Sequence, residues 1–182
     1  MKQSGGCLDT GFLATPFLLD TFCKIGRIDL AYSLLYQEKC PSWLYEVKHG
    51  ATSIWESYYT YADDGTPLPT SHNHYAFGCV DDWMFRHICG IDYIEAGFKR
   101  ILIKPDPDES LSYAKRTYWS EYGKIESEWE RQDDLFRLNV RIPCNTTAEI
   151  VLPDGQTHEA GSGTYQFECA ISAQRNAQQG EE

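Results

Sequence analysis

The spacing of hydrophobic residues along this chain changes near Gly90. Before that point, apolar residues recur at helical spacing over residues 11–24, 29–38 and 74–89, as in amphipathic helices that bury one face. After it, apolar and polar residues alternate, most clearly over residues 135–142. Alternation of this kind is typical of strands with one buried face. The pattern therefore predicts a helical part over residues 1–90 followed by a β-rich part.

The helical part is interrupted where the chain must turn. Gly26 separates the first two helices, and Pro41 ends the second because proline lacks an amide donor and restricts the residue before it. We expect a loop over residues 41–52 and a short helical stretch over residues 54–60. Residues 62–73 hold an Asp-Asp-Gly run and two prolines, which predict a surface loop.

The β-rich part carries turn signals at regular spacing. We expect strands over residues 100–104, 111–119, 123–129, 135–142, 147–152 and 164–169. The Pro-Asp-Gly run at residues 153–155 is a hairpin turn signal. Seven or eight short strands at this spacing predict an antiparallel β-sandwich, to which we assign residues 91–171. The polar, Gln-rich residues 172–182 predict a disordered tail.

Composition narrows the possible partners. The chain has 182 residues, with 16 basic and 27 acidic side chains, for a formal net charge of −11. This balance argues against nucleic acid or an anionic membrane as partner, since both attract basic surfaces. No apolar run has the length of a membrane span, and we expect no signal peptide.

The cysteines predict free thiols. Their number is seven, which is odd, and no C-x-x-C pair exists, so we expect neither a disulfide framework nor a structural zinc site. This pattern leans towards a reducing compartment such as the cytoplasm and otherwise leaves the location open. We expect no cofactor.

The chemistry-bearing residues lie in one aromatic segment. Trp55 stands beside Glu56, and His72 and His74 follow about one loop later. Aromatic faces beside a carboxylate suit a cleft that binds a sugar ring and takes a proton from water. A glycosidase normally uses two carboxylates in opposed roles, and only one stands in this segment. We expect the loop over residues 62–73 to place Glu56 and His74 on one concave surface.

Each of these residues also has a plainer interpretation. Glu56 alone is as consistent with an exposed helix acid, and His74 with a structural histidine. The pair His72 and His74 with Glu56 would make a metal site, but nothing supplies a second shell, so we expect no metal. Trp83 fits a helical core pattern, whereas Trp43 follows a proline in a predicted loop and is the better candidate to line a cleft.

A family resemblance rests on short segments in colinear order. They are residues 10–16 (TGFLATP), 30–32 (LAY), 41–43 (PSW), 50–56 (GATSIWE), 73–78 (NHYAFG), 101–105 (ILIKP), 122–127 (YGKIES) and 142–148 (IPCNTTA). Together they resemble the C-terminal end of bacterial α-L-rhamnosidases. The resemblance implies an α+β multidomain fragment, in which the last helices of a six-hairpin α/α barrel precede an antiparallel β-sandwich.

The resemblance also implies roles for residues. Glu56 matches the proposed general base of an inverting hydrolase of terminal α-L-rhamnosyl bonds. His74 matches a sugar-contacting histidine, and we assign Trp55 and Trp43 to substrate binding. The family's general acid lies in an upstream segment that this chain does not contain. We therefore expect a fragment that is inactive alone, with a rhamnosylated carbohydrate or glycoside and the missing N-terminal part as its partners.

A rival hypothesis gives the chain no catalytic role. It would then be a carbohydrate-binding or structural remnant in which the β-sandwich is the stable part. The missing acid separates the two hypotheses. A second acid within the chain, such as Glu46, Asp63 or Asp64, would complete the catalytic pair and contradict the expectation of an inactive fragment.

Overall fold

The computed structural model describes residues 5–62 and 64–171, so the predicted tail at 172–182 lies outside the described residues. The chain forms two compact units that divide between Trp83 and Met84. The first unit contains helices α1 (Thr15–Lys24), α2 (Ile28–Leu35), α3 (Trp43–Lys48) and α4 (Cys79–Trp83), with a 3-10 turn at Ala76–Gly78. The short helices are joined by long irregular segments.

The first two helices form a hairpin around Gly26. This residue adopts a φ of 72°, in the left-handed region that glycine tolerates. The turn is closed by the amide of Arg27, which donates to the carbonyl of Phe22 at 2.8 Å. The buried side of the hairpin includes Tyr32, whose ring meets Trp83 edge-on at 5.4 Å. Trp83 is buried, which confirms its predicted place in the core.

The predicted loop over residues 41–52 is wrong, because a helix forms within it. Ser42 caps α3: its side-chain oxygen accepts a hydrogen bond from the amide of Tyr45 at 3.1 Å. A serine cap satisfies one of the free amides at a helix start, and such caps contribute about 1 kcal/mol. The prediction that Pro41 ends α2 is wrong, because that helix ends at Leu35, well before the proline.

The predicted helical stretch over residues 54–60 is also wrong. Its backbone groups bond to a distant segment instead: the carbonyl of Ile54 accepts from the amide of His74, and the amide of Glu56 donates to the carbonyl of Ser71. A backbone amide that bonds to a distant carbonyl cannot also make the hydrogen bond of an α-helix. The predicted helix over residues 74–89 is present as three consecutive pieces, namely the 3-10 turn, α4 and a π-helical turn at Met84–Ile88.

The second unit is a β-sandwich. Its strands are β1 (Ile91–Tyr93), β2 (Arg100–Ile103), β3 (Tyr113–Ser120), β4 (Gly123–Gln132), β5 (Leu135–Ile142), β6 (Thr147–Val151), β7 (Thr157–Ala160) and β8 (Gly163–Ala170). One sheet has the order β1-β2-β6-β7 and the other the order β3-β4-β5-β8. All neighbours are antiparallel except β2 and β6, which run parallel. The sequence pattern did not predict the short strands β1 and β7.

Alternating side chains build the core of the sandwich. Ile101 and Ile103 on β2 lie level with Ala148 and Ile150 on β6, and all four are buried. The other sheet contributes its fully buried Trp129, Phe136, Leu138 and Val140. The indole nitrogen of Trp129 donates to the carbonyl of Ile88 at 2.7 Å, which fastens the π-helical turn to the sheet. The apolar residues that the two-residue period predicts to face the core are therefore buried.

Gly90 is required where the period changes. Its φ is +75°, and a Cβ atom built there would lie 2.2 Å from the backbone nitrogen of Pro105. The carbonyl of Gly90 also accepts from the amide of Lys104 at 2.7 Å. Only a residue without a side chain allows this close approach of two backbones.

All seven cysteines are free, as the odd count and the spacing predict. Cys169 is buried, Cys144 is exposed and the others are half-buried. Most of the cysteine side chains are therefore more exposed to solvent than core residues are. Among the described residues, helices that are both long and apolar enough to cross a membrane are absent.

Candidate functional site

Two backbone segments lie side by side and carry the predicted catalytic residues. The amide of His74 donates to the carbonyl of Ile54 at 2.8 Å, and the amide of Glu56 donates to the carbonyl of Ser71 at 2.9 Å. The intervening loop turns the chain back as predicted, with an isolated antiparallel bridge between Tyr61 and Pro67. The fold therefore makes the backbones of Glu56 and His74 neighbours. That their side chains share one concave surface stays a prediction.

The carboxylate of Glu56 is held by the same pairing. Its Oε2 atom accepts a hydrogen bond from the amide of Ser71 at 2.8 Å, so Ser71 bonds to both the backbone and the side chain of Glu56. The side chain is half-buried. Hydrogen bonds of this type orient a carboxylate while leaving it further acceptor positions. A carboxylate that is oriented and partly open to solvent can take a proton from a water molecule.

His74 has a fixed ring and a defined tautomer. Its Nδ1 atom accepts a hydrogen bond from the amide of Ala76 at 3.2 Å. The neutral ring therefore carries its proton on Nε2, which acts as a donor. Phe12 stacks on this ring with centroids 5.0 Å apart, and Tyr75 stacks at 5.2 Å. The stacked rings and the bond from Ala76 favour this orientation of the His74 ring.

The two predicted sugar-binding tryptophans are buried. Trp55 is 3% exposed and Trp43 is 5% exposed. Trp55 contacts the rings of Tyr61 and His72, and the indole nitrogen of Trp43 donates to the carbonyl of Phe77 at 2.9 Å. Both tryptophans thus brace the segments that present Glu56 and His74. Their contact with a sugar stays a prediction.

An aromatic ring that the sequence pattern did not single out is far more open. Tyr75 is 88% exposed and lies parallel to the ring of His74, at an interplanar angle of 8°. An exposed flat ring beside a histidine donor is suited to pack against the apolar face of a pyranose. The available signal was its place between His74 and Ala76 in the motif of residues 73–78.

No metal centre is evident at these residues. Within residues 5–62 and 64–171, groups of three or more His, Cys, Asp or Glu side chains that could hold a metal ion are absent. His72 instead meets Trp55 and Tyr61 with its ring, at 5.4 Å and 5.5 Å.

A buried acid bonds to the Ile54–Trp55 peptide, one residue before Glu56. Glu46 on α3 is 2% exposed, and its Oε2 atom accepts a hydrogen bond from the amide of Trp55 at 3.1 Å. Its Oε1 atom has no hydrogen-bond partner among the residues described. Burial raises the pKa of this carboxyl to about 7, although the bond from Trp55 partly opposes the rise. From the sequence alone, Glu46 was only one of three acids that could complete the catalytic pair with Glu56.

Two groups close to Glu46 also have raised pKa values. The Tyr58 hydroxyl is buried, and both burial and the nearby Glu46 raise its pKa above the ordinary value. Burial, followed by the charges of Cys7 and Glu46, also raises the pKa of the Cys40 thiol. Because no described cation offsets the charge of Glu46 here, ionisation of this carboxyl is unfavourable in the folded chain.

The Glu46 carboxyl should make the chain less stable as pH rises. Its pKa is about 7 when folded against 4.5 as the ordinary value, so the folded state binds more protons between these pH values. The contribution of Glu46 to the free energy of unfolding is then fully present below pH 4.5 and is lost as pH rises to 7, by about 3 kcal/mol in total. Urea unfolding at several pH values measures this loss. Glu46→Gln should remove it, and Glu38→Gln, on an exposed side chain, should not.

Comparisons with protein families give matches along most of the chain. Residues 1–88 match the model of the bacterial alpha-L-rhamnosidase six-hairpin glycosidase domain. Residues 90–167 match the model of the bacterial alpha-L-rhamnosidase C-terminal domain. The boundary between the two matches falls at the change of hydrophobic period near Gly90.

Relatives and solved structures agree with these matches. The chain is 44% identical over 156 residues to an alpha-L-rhamnosidase of Formosa agariphila, covering 84% of this chain and 17% of that protein. It is 40% identical over 149 residues to an alpha-L-rhamnosidase of Streptomyces avermitilis, covering 80% of this chain and 14% of that protein. The chain thus spans less than a fifth of the length of these relatives.

Two crystal structures match the fold. The Streptomyces avermitilis alpha-L-rhamnosidase complexed with L-rhamnose has a TM-score of 0.88 and 32% identity, over 92% of this chain and 18% of that one. The native enzyme from Aspergillus terreus has a TM-score of 0.88 and 35% identity, over 92% of this chain and 20% of that one.

Proposed function

Because the chain belongs to the bacterial α-L-rhamnosidase family and corresponds to its C-terminal portion, we propose that it supplies the general base of an inverting rhamnosidase. The observation that carries this proposal is the pairing of residues 54–56 with residues 71–74. It holds the Glu56 carboxylate on the amide of Ser71 and makes the backbones of Glu56 and His74 neighbours. The substrate is a terminal α-L-rhamnosyl group of a glycoside or polysaccharide.

The chemistry assigns one proton transfer to this chain. Glu56 takes a proton from a water molecule as the water oxygen bonds to C1 of rhamnose, on the face opposite the leaving oxygen. The C1–O bond to the leaving group breaks, and an acid from outside this chain protonates that oxygen. Two carboxyl groups in such a site stand about 6.5–9.5 Å apart, which leaves room for the water. His74 donates from Nε2 to a sugar hydroxyl and holds the ring.

The substrate-binding roles divide by exposure. Tyr75 offers an open ring to the sugar, whereas Trp43 and Trp55 act from within by bracing the two segments. The alternative, a carbohydrate-binding remnant without catalysis, draws on a separate observation. Tyr113 and Trp119 on β3 are both exposed, and sugar-binding surfaces commonly use such rings.

A chimera tests the proposed function. Residues 1–182 are joined to the N-terminal region of the Streptomyces avermitilis enzyme, in place of its own matching segment. We expect the folded chimera to hydrolyse an aryl α-L-rhamnoside, with the β-anomer of rhamnose as the first product by proton NMR. Initial release of the α-anomer would contradict inversion. A folded chimera without turnover, together with rhamnoside binding by the chain that Trp119→Ala removes, would favour the alternative.

A further inference from the structure

The backbone just before Glu56 is held by the buried side chain of Glu46, which bonds to the amide of Trp55. Residue 46 contacts both ends of the connection between α3 and the site. Its backbone carbonyl accepts from the amide of Ala51 at 3.0 Å, and its carboxyl accepts from the amide of Trp55 at 3.1 Å. The segment of residues 51–55 is therefore tied to α3 at both ends by one residue. On the other side, Ser71 holds Glu56 itself.

We infer that Glu46 is a positioning residue that sets the place of the Glu56 carboxylate through the amide of Trp55. The inference rests on the proposed role of Glu56 as general base. Glu46 itself is too buried to meet a substrate, so its effect passes from the Trp55 amide along the backbone to Glu56.

The cost of keeping this acid supports a functional role. A buried carboxyl with one unpartnered oxygen destabilises the fold, and an apolar side chain of similar size would pack there without that cost. Groups whose pKa values are strongly raised by burial concentrate at functional sites. The hydrogen bond to Trp55 is the contact of Glu46 that an apolar residue would not make.

Three substitutions separate positioning from packing, and the chimera described above is the enzyme in which they are measured. Glu46→Gln keeps the shape and an acceptor for the Trp55 amide. Glu46→Leu keeps a similar volume without the acceptor, and Glu46→Asp withdraws the carboxyl by one methylene. Tyr58→Phe is the matched control, because it removes a buried hydroxyl beside Glu46 that has no hydrogen-bond partner among the described residues.

Positioning predicts a loss in kcat. We expect Glu46→Leu and Glu46→Asp to lower kcat about 10- to 100-fold, since a small misplacement of a reacting group has effects of this order. KM should change less than about threefold, because the interaction acts in the transition state. Glu46→Gln and Tyr58→Phe should keep the parent kcat. In the chain of residues 1–182, hydrogen exchange of the Trp55 amide should quicken in the Leu and Asp variants and stay slow in the Gln variant.

Several results would overturn the inference. One is an unchanged kcat in folded Glu46→Leu and Glu46→Asp enzymes, and another is a Glu46→Gln enzyme as slow as these two. If Glu46→Leu does not fold, the Asp variant and the exchange measurement decide alone. Glu56→Gln in the same chimera tests the underlying function separately. If Glu56→Gln lowers kcat but the Glu46 variants do not, only the positioning role of Glu46 fails. If Glu56→Gln leaves kcat unchanged, the proposed function fails.

Discussion

Residues 1–182, produced without further sequence, should give no measurable turnover of an aryl α-L-rhamnoside. Glu56 can deprotonate water, but protonation of the leaving oxygen needs a second acid, which the family resemblance places upstream of this chain. A positioned acid or base contributes about 10²- to 10⁴-fold to the rate. Substrate positioning by the rest of the enzyme would be lost as well, which lowers the rate further. The measurement is release of the aryl group by the purified chain, with the chimera as positive control.

Turnover by the chain that disappears in Glu56→Gln would contradict this prediction. It would mean that another acid of the chain completes the pair. Of the three acids considered from the sequence, Glu46 is buried at 2% exposure and bonds to a backbone amide, so it is poorly placed to protonate a leaving group. Asp64 is exposed and bonds to the amide of Thr66 within its own turn. Asp63 lies outside the described residues.

The β part of the fold follows closely from the sequence because its strands have one solvent-exposed face and one buried face. Leu135–Ile142 forms β5 with the predicted bounds, and its buried residues alternate as the pattern requires. The strands that were missed, β1 and β7, have three and four residues. Alternation over so few positions cannot be told from chance. The parallel pairing of β2 with β6 is a matter of topology, which periodicity does not encode.

The helical part was harder to predict because long-range backbone bonds override local preference. Residues 54–60 have helical spacing, yet the amide of Glu56 bonds to the carbonyl of Ser71, a residue far beyond the reach of one helical turn. The same serine also holds the Glu56 side chain, which strengthens the non-helical arrangement. In α3, the serine cap at Ser42 was a usable local signal that the nearby proline obscured.

The sequence pointed to candidate site residues, whose roles stay predictions, and it said less about their geometry. The motif spacing pointed to Glu56 and His74, and the fold makes their backbones neighbours. The spacing did not show that Trp43 and Trp55 are buried or that Glu46 bonds to the amide of Trp55. Burial depends on which faces of several short segments meet, and this is decided by tertiary packing. Acidic residues are also rarely buried, so the prior expectation for Glu46 was a solvated position.

Glu56→Gln in the chimera should lower kcat for an aryl α-L-rhamnoside about 10²- to 10⁴-fold, which is the range for loss of a positioned general base. The amide keeps the size of the side chain and an oxygen that can accept from Ser71, so the fold should persist. KM should stay near that of the parent, because proton transfer belongs to the transition state. Steady-state kinetics measures both constants, and Glu38→Gln, on an exposed carboxylate, is the matched control.

Azide then distinguishes a missing base from a damaged site. In Glu56→Ala, azide can attack C1 without losing a proton, so it needs no general base. Its nitrogen bonds to C1 as the C1–O bond breaks, and the upstream acid still protonates the leaving oxygen. We expect azide to restore release of the aryl group and to give a rhamnosyl azide of inverted configuration, identified by NMR. Restoration is expected only if the acid, the sugar contacts and His74 remain in place. A variant that is inactive with and without azide, although folded, would show that Glu56 shapes the site rather than acting on water.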